Sequence, residues 1–196
     1  FTSLHLGNTF LLLASLAITA RVSAGAPAPS LRGRGTLGAL AGATLFSALL
    51  VGATGSIAAL GAPLFPSHSV AQGLAQDVSS AAPLFIRLRS IHPFIAVGAG
   101  VLMLAFATYA ASTNKSRSVA LFARLLTVAF FVQVALGVTN IVLLAPTWLQ
   151  LLHLGSADVV WVLLVLLSSS ALAAPDSAGA LSASPAEALA GSPPAR

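Results

Sequence analysis

The apolar run from Trp148 to Ala173 is the feature that most limits what this chain can fold into. The run is long enough to cross a bilayer, for which roughly 20 apolar residues suffice, yet it contains His153 and Asp158. Ionisable side chains at membrane depth are costly, so they usually face the interior of a helix bundle and have a partner there. The run therefore predicts a transmembrane helix whose polar side chains meet other helices.

Similar apolar runs precede this one, so the chain carries five of them, over residues 1–20, 36–60, 84–111, 119–144 and 148–173. Charged residues make up 7% of the chain, against about 25% in soluble domains, which excludes a soluble globular fold. The net charge of +5 is spread between the runs, and this distribution argues against nucleic-acid binding. The sequence predicts an all-α polytopic membrane helix bundle with five transmembrane helices.

The absence of cysteine narrows the chemistry that such a bundle could carry. Disulfides, thiolate zinc sites, iron–sulfur clusters and covalently attached c-type haem all require cysteine. Any metal centre in this chain must therefore be held by histidine, carboxylate or backbone groups.

The basic residues predict how the helices are oriented in the membrane. Arginine and lysine occur in loops 21–35 and 112–118, whereas the turn 145–147 has none. Positively charged loops stay in the cytoplasm, so we expect both loops and the tail 175–196 on the cytoplasmic side of the inner (plasma) membrane. Loop 61–83 then faces outward. The tail is rich in Ala, Ser and Pro, and this composition predicts disorder.

Three histidines share one depth in this topology. His5, His92 and His153 lie near the outer ends of the first, third and fifth helices, each roughly one to two turns below the boundary. The phrase Leu4-His5-Leu6-Gly7 also returns as Leu152-His153-Leu154-Gly155. This pattern indicates an internal repeat of a metal-binding or haem-binding helix.

His92 and His153 are the candidate ligands of a b-type haem. They stand on the second and fourth helices of the four-helix unit 35–174, which can be diagonal neighbours with room for a porphyrin between them. Two neutral imidazoles facing each other across a bundle supply the axial ligands of such a haem. The alternative is that both histidines only join interhelical hydrogen bonds, as we expect for Gln133 and Asn140.

Arginines and glycines near the histidines fit the same hypothesis. Arg87 and Arg89, just outside His92, are suited to pair with haem propionates. Their alternative role is to extend from the helix toward the membrane interface. Gly98, Gly100 and Gly155 follow the two histidines in the sequence and could clear space for the macrocycle.

The other two histidines are interpreted differently. His5 has no partner histidine left in the chain, so we expect residues 1–21 to be the last helix of a preceding half. On this interpretation, the chain is the C-terminal part of a longer protein. His68 lies in a polar loop without a second histidine nearby, and we expect it to be solvated.

Several segments follow one another in an order known from one family: Leu4-His5-Leu6 with Asn8-Thr9, Gly52-Ala53-Thr54-Gly55-Ser56 leading to Leu64-Phe65-Pro66, Arg87-Leu88-Arg89-Ser90-Ile91-His92-Pro93, residues 133–140, and Ala145-Pro146-Thr147-Trp148-Leu149-Gln150-Leu151-Leu152-His153-Leu154. Over residues 1–172 the chain resembles the C-terminal part of the heme A synthase family, membrane enzymes that complete haem A for cytochrome c oxidase.

The resemblance implies two four-helix halves, each holding haem between histidines. His92 and His153 would ligate the b-type haem, while His5 would bind the iron of haem O, or of haem A after reaction, in the first half. The implied oxidoreductase reaction converts a methyl group of haem O to a formyl group, and the electrons leave through the b haem. The family's catalytic glutamate has no counterpart here, because the one glutamate, Glu187, is in the tail. We therefore expect the chain alone to be inactive.

Partners and competing functions follow from the same resemblance. A farnesyltransferase that supplies haem O is the expected partner, the electron acceptor is unidentified, and a homo-oligomer is compatible with the sequence. One alternative is a membrane b-type cytochrome that only transfers electrons. Another is a transporter or channel that moves protons through buried histidines.

Overall fold

The computed structural model describes residues 2–77, 79 and 81–173, and its main elements are helices. They are α1 (Thr2–Ser23), α2 (Gly35–Leu64), α3 (Val70–Asp77), α4 (Leu84–Thr113), α5 (Arg117–Val142) and α6 (Thr147–Ala171). Apart from α3, each of these helices is long and apolar enough to cross a membrane. The predicted multi-pass all-α bundle is confirmed. The predicted disorder of the tail 175–196 lies outside the described residues.

The four helices α2, α4, α5 and α6 form a ring in which each packs against the next. The main interfaces join α2 with α4, α4 with α5, α5 with α6, and α6 with α2. Consequently α4 and α6, which carry His92 and His153, stand at opposite corners of the bundle. This is the diagonal arrangement that the sequence had left open.

The hydrophobic core fills only one half of this bundle. Its fully buried side chains include Phe106 near the end of α4, Val119 and Leu126 near the start of α5, and Leu164 and Leu167 near the end of α6. In the half that contains His92 and His153, most described residues are only partly buried or are exposed. The half of the bundle that holds His92 and His153 therefore has fewer buried side chains than the other half.

The first helix packs outside the ring, against α2 and α6. The rings of Phe10 and Trp161 stack with centroids 5.0 Å apart, and Trp161 Nε1 donates to the Phe10 carbonyl at 2.6 Å. Gly52 on α2 leaves space for the ring of Phe10, because a Cβ at residue 52 would lie 2.9 Å from Phe10 Cε2. The Ser3 and Ser56 hydroxyls, 2.7 Å apart, add a second link to α2.

The loop between α1 and α2 closes over the C-terminal end of α6. Arg34 donates to the carbonyls of Ala171 at 3.2 Å and Ala173 at 2.9 Å. Arg21 donates to the Ser169 carbonyl at 3.4 Å. The last carbonyls of a helix have no partner within it and carry partial negative charge. The two guanidinium groups therefore satisfy this helix end and fix the loop against it.

The short helix α3 was not predicted from the sequence. Residues 61–83 look like a polar loop because of their Pro, Ser and Gln content. In the structure, α2 continues to Leu64, and α3 then covers part of the connection to α4. An eight-residue helix is too short to be stable alone, so its contacts with α4 hold it in place.

Candidate functional site

His92 and His153 lie at similar depths in the half of the bundle that is less filled. The helix starts are roughly 12 Å from His92 and roughly 9 Å from His153 along the helix axes. Both residues are partly buried, and they belong to α4 and α6 of the same four-helix ring. The structure therefore brings together the two histidines that the sequence singled out. Their assignment as haem ligands stays a prediction.

The imidazole of His92 is held by α2. Thr54 Oγ1 lies 3.1 Å from His92 Nδ1. A Cβ at Gly55 would lie 3.0 Å from His92 Cε1, which is closer than ordinary side-chain contacts. The absence of a side chain at residue 55 thus lets the imidazole lie directly against the backbone of α2, while the preceding threonine fixes its rotation.

The imidazole of His153 is held in a similar way by α5. Gln133 Nε2 lies 3.3 Å from His153 Nε2, and a Cβ at Gly137 would lie 3.3 Å from His153 Cε1. His153 Nδ1 and Gln133 Oε1 are both buried without a hydrogen-bond partner among the described residues. Buried polar atoms without partners are uncommon in folded proteins, so this side of the site has unused hydrogen-bonding capacity.

The arginines outside His92 already have partners in the structure. Arg89 donates through Nε and one terminal nitrogen to Asp77 Oδ1, at 3.0 and 2.7 Å. Each side chain of this ion pair is 19% exposed. Arg87 donates to the Ala82 carbonyl at 3.1 Å. The ion pair ties α3 to α4 and supplies a carboxylate where a haem propionate had been predicted.

Of the glycines that follow the two histidines in the sequence, only some have open space at the position of a Cβ. A Cβ at Gly98 or Gly155 would meet nothing within 4 Å. At Gly100, however, it would collide with the ring of Phe130, so Gly100 accommodates a side chain of α5 rather than a macrocycle. The glycines that contact the imidazoles are Gly55 and Gly137.

His5 lies apart from this pair, on an exposed face of α1. The same face carries Asn8, Ser15 and Thr19, all of them exposed. A groove of about 450 Å³ between α1 and α2 lies beside it, lined in part by Asn8 and Gly52. Polar side chains within a membrane-spanning helix usually face protein or a cavity. This face of α1 is therefore suited to a polar or protein partner rather than to lipid alone.

The remaining ionisable candidates do not form a metal cluster. The described residues contain no group of three or more His, Asp or Glu side chains that could hold a metal ion. His68 is exposed, with its backbone N–H bonded to Gln72 Oε1 at 2.9 Å. Asp158 is partly buried, and its Oδ1 has no hydrogen-bond partner among the described residues. A metal site in the four-helix bundle that uses histidine nitrogens would therefore be formed by His92 and His153.

Several residues of the site were missed from the sequence. Thr54 and Gly55 were given only as part of a family segment, and Gly137 only lies within the segment 133–140. One signal was present for His153: Gln133 and Gly137 are four apart, so they share a helix face. Asp77 gave no signal, because nothing local in the sequence places it next to Arg89.

The arrangement matches the donor set of a haem with two axial histidines. The imidazoles come from opposite corners of a four-helix ring, each beside a glycine, in the half of the bundle with fewer buried side chains. Two nitrogen ligands without a nearby carboxylate cluster suit haem iron better than a bare divalent ion, which usually takes more protein ligands. The residues present therefore fit a haem.

Comparisons with known proteins identify relatives over most of the chain. A family model described as "Cytochrome oxidase assembly protein" matches residues 1–165. Two curated relatives, one from each of two strains of Thermus thermophilus, are named protoheme IX farnesyltransferase and are 39% and 38% identical over 169 residues. That alignment takes in 86% of this chain but 28% of each relative, so the chain spans little more than a quarter of their length. No solved structure matches the chain.

Proposed function

Because this chain belongs to the family of cytochrome oxidase assembly proteins that includes heme A synthase, we propose that it forms the electron-accepting half of a heme A synthase. The enzyme oxidises a methyl group of haem O to the formyl group of haem A. In this half, His92 and His153 hold a b-type haem. That haem would be held by the imidazoles of His92 and His153 and would supply one-electron redox chemistry.

The pairing of His92 with Thr54 and Gly55, and of His153 with Gln133 and Gly137, carries this proposal. Each imidazole is packed against a glycine and held by a polar side chain from a neighbouring helix. Metal-ligating histidines usually have a partner on the ring nitrogen that does not bind the metal, and Thr54 takes this place at Nδ1 of His92. Gln133 instead contacts Nε2 of His153 and would move when iron binds. Histidines that merely joined helices would not require a glycine opposite the ring.

The arginines have a separate role in the proposal. Arg87 and Arg89 lie on the outer side of the histidine pair, where the propionates of the b haem are expected. Arg89 already binds one carboxylate, that of Asp77, through two nitrogens. This geometry supports carboxylate recognition, because two nitrogens of the guanidinium group donate to one carboxylate oxygen. On haem binding, a propionate would share Arg89 with Asp77 or replace it.

His5 is assigned to the substrate side of the enzyme. We propose that it binds the iron of haem O or haem A together with groups additional to the described residues. Its exposure on α1, on the same face as Asn8 and Ser15, supports a partner at that surface. Oxidation of haem O then requires those additional groups, so the four-helix half alone is not expected to produce haem A.

The proposed place of action is the inner (plasma) membrane, beside a source of haem O. The relatives' name, protoheme IX farnesyltransferase, supports a partnership between this kind of bundle and a farnesyltransferase that supplies haem O. The proposed synthase and the farnesyltransferase would both act on a very apolar haem. Transfer of this haem within the membrane would avoid its release into water. A homo-oligomer is compatible with this arrangement.

The second candidate is a b-type membrane cytochrome that only transfers electrons. It is favoured by the fact that the described residues hold one histidine pair and no glutamate, since Glu187 lies outside them. The two functions separate in cells that lack their own synthase but make haem O. The intact protein should yield extractable haem A if it is a synthase and none if it is only a cytochrome.

The ligand assignment is tested by adding haem b to the purified chain and recording reduced and oxidised spectra. We expect a low-spin spectrum with a sharp reduced α-band and no carbon monoxide binding. His92→Ala and His153→Ala should each lose this spectrum, because one axial position is empty and the other imidazole is unpaired. His68→Ala is the matched control, and it should bind haem like the unmodified chain, as should His5→Ala. Retention of full low-spin occupancy by both His92→Ala and His153→Ala would show that other residues ligate the iron.

A further inference from the structure

We propose that Thr54 and Gln133 act in opposite directions on the two histidines. Thr54 is a positioning residue that leaves Nε2 of His92 free for iron, whereas Gln133 occupies Nε2 of His153 and gives way when iron binds. This inference rests on the haem-binding function proposed above. It predicts that removal of the Thr54 side chain weakens haem binding, whereas removal of the Gln133 side chain makes haem binding faster or tighter.

The role of Thr54 follows from where its one hydroxyl proton goes. Thr54 Oγ1 lies 3.0 Å from the Leu50 carbonyl and 3.1 Å from the Val51 carbonyl. Both carbonyl oxygens can only accept, so each of these contacts needs the hydroxyl proton, and we assign that proton to the helix of Thr54. Toward His92 Nδ1, at 3.1 Å, Oγ1 is then left to accept. Nδ1 therefore carries the proton of the neutral imidazole, and the lone pair is on Nε2.

Gly55 completes the positioning of His92. A side chain at residue 55 would press on the ring, because its Cβ would lie 3.0 Å from His92 Cε1, so glycine lets the ring keep this place against α2. The hydrogen bond from Nδ1 fixes the rotation of the ring about its attachment to the backbone. Together they hold one tautomer and one orientation before any iron is present, which is how partners of metal-ligating histidines act.

At His153, unlike at His92, the neighbouring polar side chain contacts the ring nitrogen Nε2. The Gln133 amide contacts Nε2 at 3.3 Å, and an amide nitrogen can only donate. In this orientation the Nε2 lone pair is therefore already used, and the proton is on Nδ1, which is buried without a partner among the described residues. If the amide is turned over, its oxygen accepts from Nε2–H instead. In both orientations Gln133 occupies the nitrogen that faces it, so iron can bind there only after this side chain moves.

The test measures haem affinity and binding rate for purified, haem-free variants. Thr54→Val should bind haem b about ten- to a hundred-fold more weakly, in line with other losses of a partner on a ligating histidine. Thr54→Ser keeps the hydroxyl and should restore most of the affinity. Gln133→Leu should bind haem roughly two- to ten-fold faster or tighter, because one competing hydrogen bond is gone.

Matched controls separate these effects from general changes in the helices. Thr139→Val removes a hydroxyl that bonds to its own helix, to Ala135 O, but the structure gives it no histidine contact. Asn140→Leu removes an amide from the same helix as Gln133, and that amide bonds to Leu136 O. Both controls should bind haem like the unmodified chain.

Two further measurements do not depend on enzyme activity. Nitrogen chemical shifts of the haem-free protein should report a proton on Nδ1 of His92. In Thr54→Val, the shifts should report a mixture of the Nδ1 and Nε2 tautomers. In the loaded protein, the electron paramagnetic resonance g values and the reduction potential should shift in Thr54→Val but not in Thr139→Val.

The outcomes are distinguishable. If the unmodified chain binds no haem, both the proposed function and this inference are overturned. If it binds haem with two histidine ligands but Thr54→Val is unchanged, or Gln133→Leu binds more weakly, only this inference is overturned. Equal losses in Thr54→Val and Thr54→Ser would likewise contradict a role for the hydroxyl.

Discussion

At the scale of single residues, the site is built from side chains that hold other side chains. Thr54 and Gln133 fix the imidazoles, and Asp77 fixes Arg89. The ion pair is shielded enough to contribute more than most surface pairs, which are worth about 0–1 kcal/mol. Since α3 is short, this one contact should decide how firmly it stays docked over the outer end of α4.

We therefore predict that Asp77→Asn loosens α3. Loss of the charge should raise amide hydrogen exchange over residues 70–77 roughly five-fold, equivalent to about 1 kcal/mol of local stability. Asp77→Glu, which keeps a carboxylate, should preserve most of the protection. Exchange that is the same in the unmodified chain and in Asp77→Asn would mean that apolar contacts hold α3 instead.

At the scale of helices, small residues determine how closely neighbours approach. Gly52 receives Phe10 of α1, Gly55 receives His92 of α4, and Gly100 receives Phe130 of α5. Close backbone approach at small residues is the usual way in which membrane helices associate. The spacing of these glycines therefore sets which helix lies where, and it also shapes the space that each imidazole occupies.

Gly100→Ala should destabilise the bundle, whereas Gly98→Ala, two residues away, should not. The new Cβ at residue 100 would collide with the ring of Phe130, but at residue 98 it meets nothing within 4 Å. We expect a cost of about 1–3 kcal/mol for overpacking at residue 100, and a gain of up to about 1 kcal/mol in helix propensity at residue 98.

Thermal unfolding in detergent measures both glycine variants. Adding Phe130→Leu to Gly100→Ala should recover part of the loss, because the smaller side chain frees the space. Equal unfolding temperatures for Gly98→Ala and Gly100→Ala would contradict tight packing between α4 and α5 at this position.

At the scale of the whole molecule, the five spanning helices within residues 2–173 alternate in direction, which places their connections at two ends. The loop after α1 and the loop between α4 and α5 lie at one end, where the packed core is, and α3 lies at the other, above the histidines. Lys115, Arg32 and Arg34 are all at the first end. The positive-inside rule therefore predicts that this end faces the cytoplasm.

Labelling of single cysteines tests this orientation cleanly, because the chain has none of its own. With a membrane-impermeant thiol reagent, His68→Cys should react in intact cells. Arg32→Cys and Lys115→Cys should react only after the cells are opened. These positions are all exposed in the structure, so a lack of labelling would not reflect burial. Labelling of residue 115 from outside would reverse the orientation and place the histidine pair near the cytoplasm.

The sequence by itself determined the number of spanning helices, their order and the depth of the three histidines. These properties depend on local hydrophobicity and on distance along a helix, which can be counted from the chain. The sequence also predicted that His92 and His153 lie at the same end of one bundle, because alternating helices bring these ends to one side. The family was identified from motifs that remain in order along residues 1–172.

Only the tertiary structure decided which side chains meet. It placed Thr54 and Gly55 against His92, Gln133 and Gly137 against His153, and Asp77 against Arg89. It also showed that Gly100 makes room for Phe130. The physical reason is that an almost uniformly apolar helix carries little periodic signal about its rotation. Its rotation about its own axis is therefore set by how small and large side chains fit between neighbouring helices.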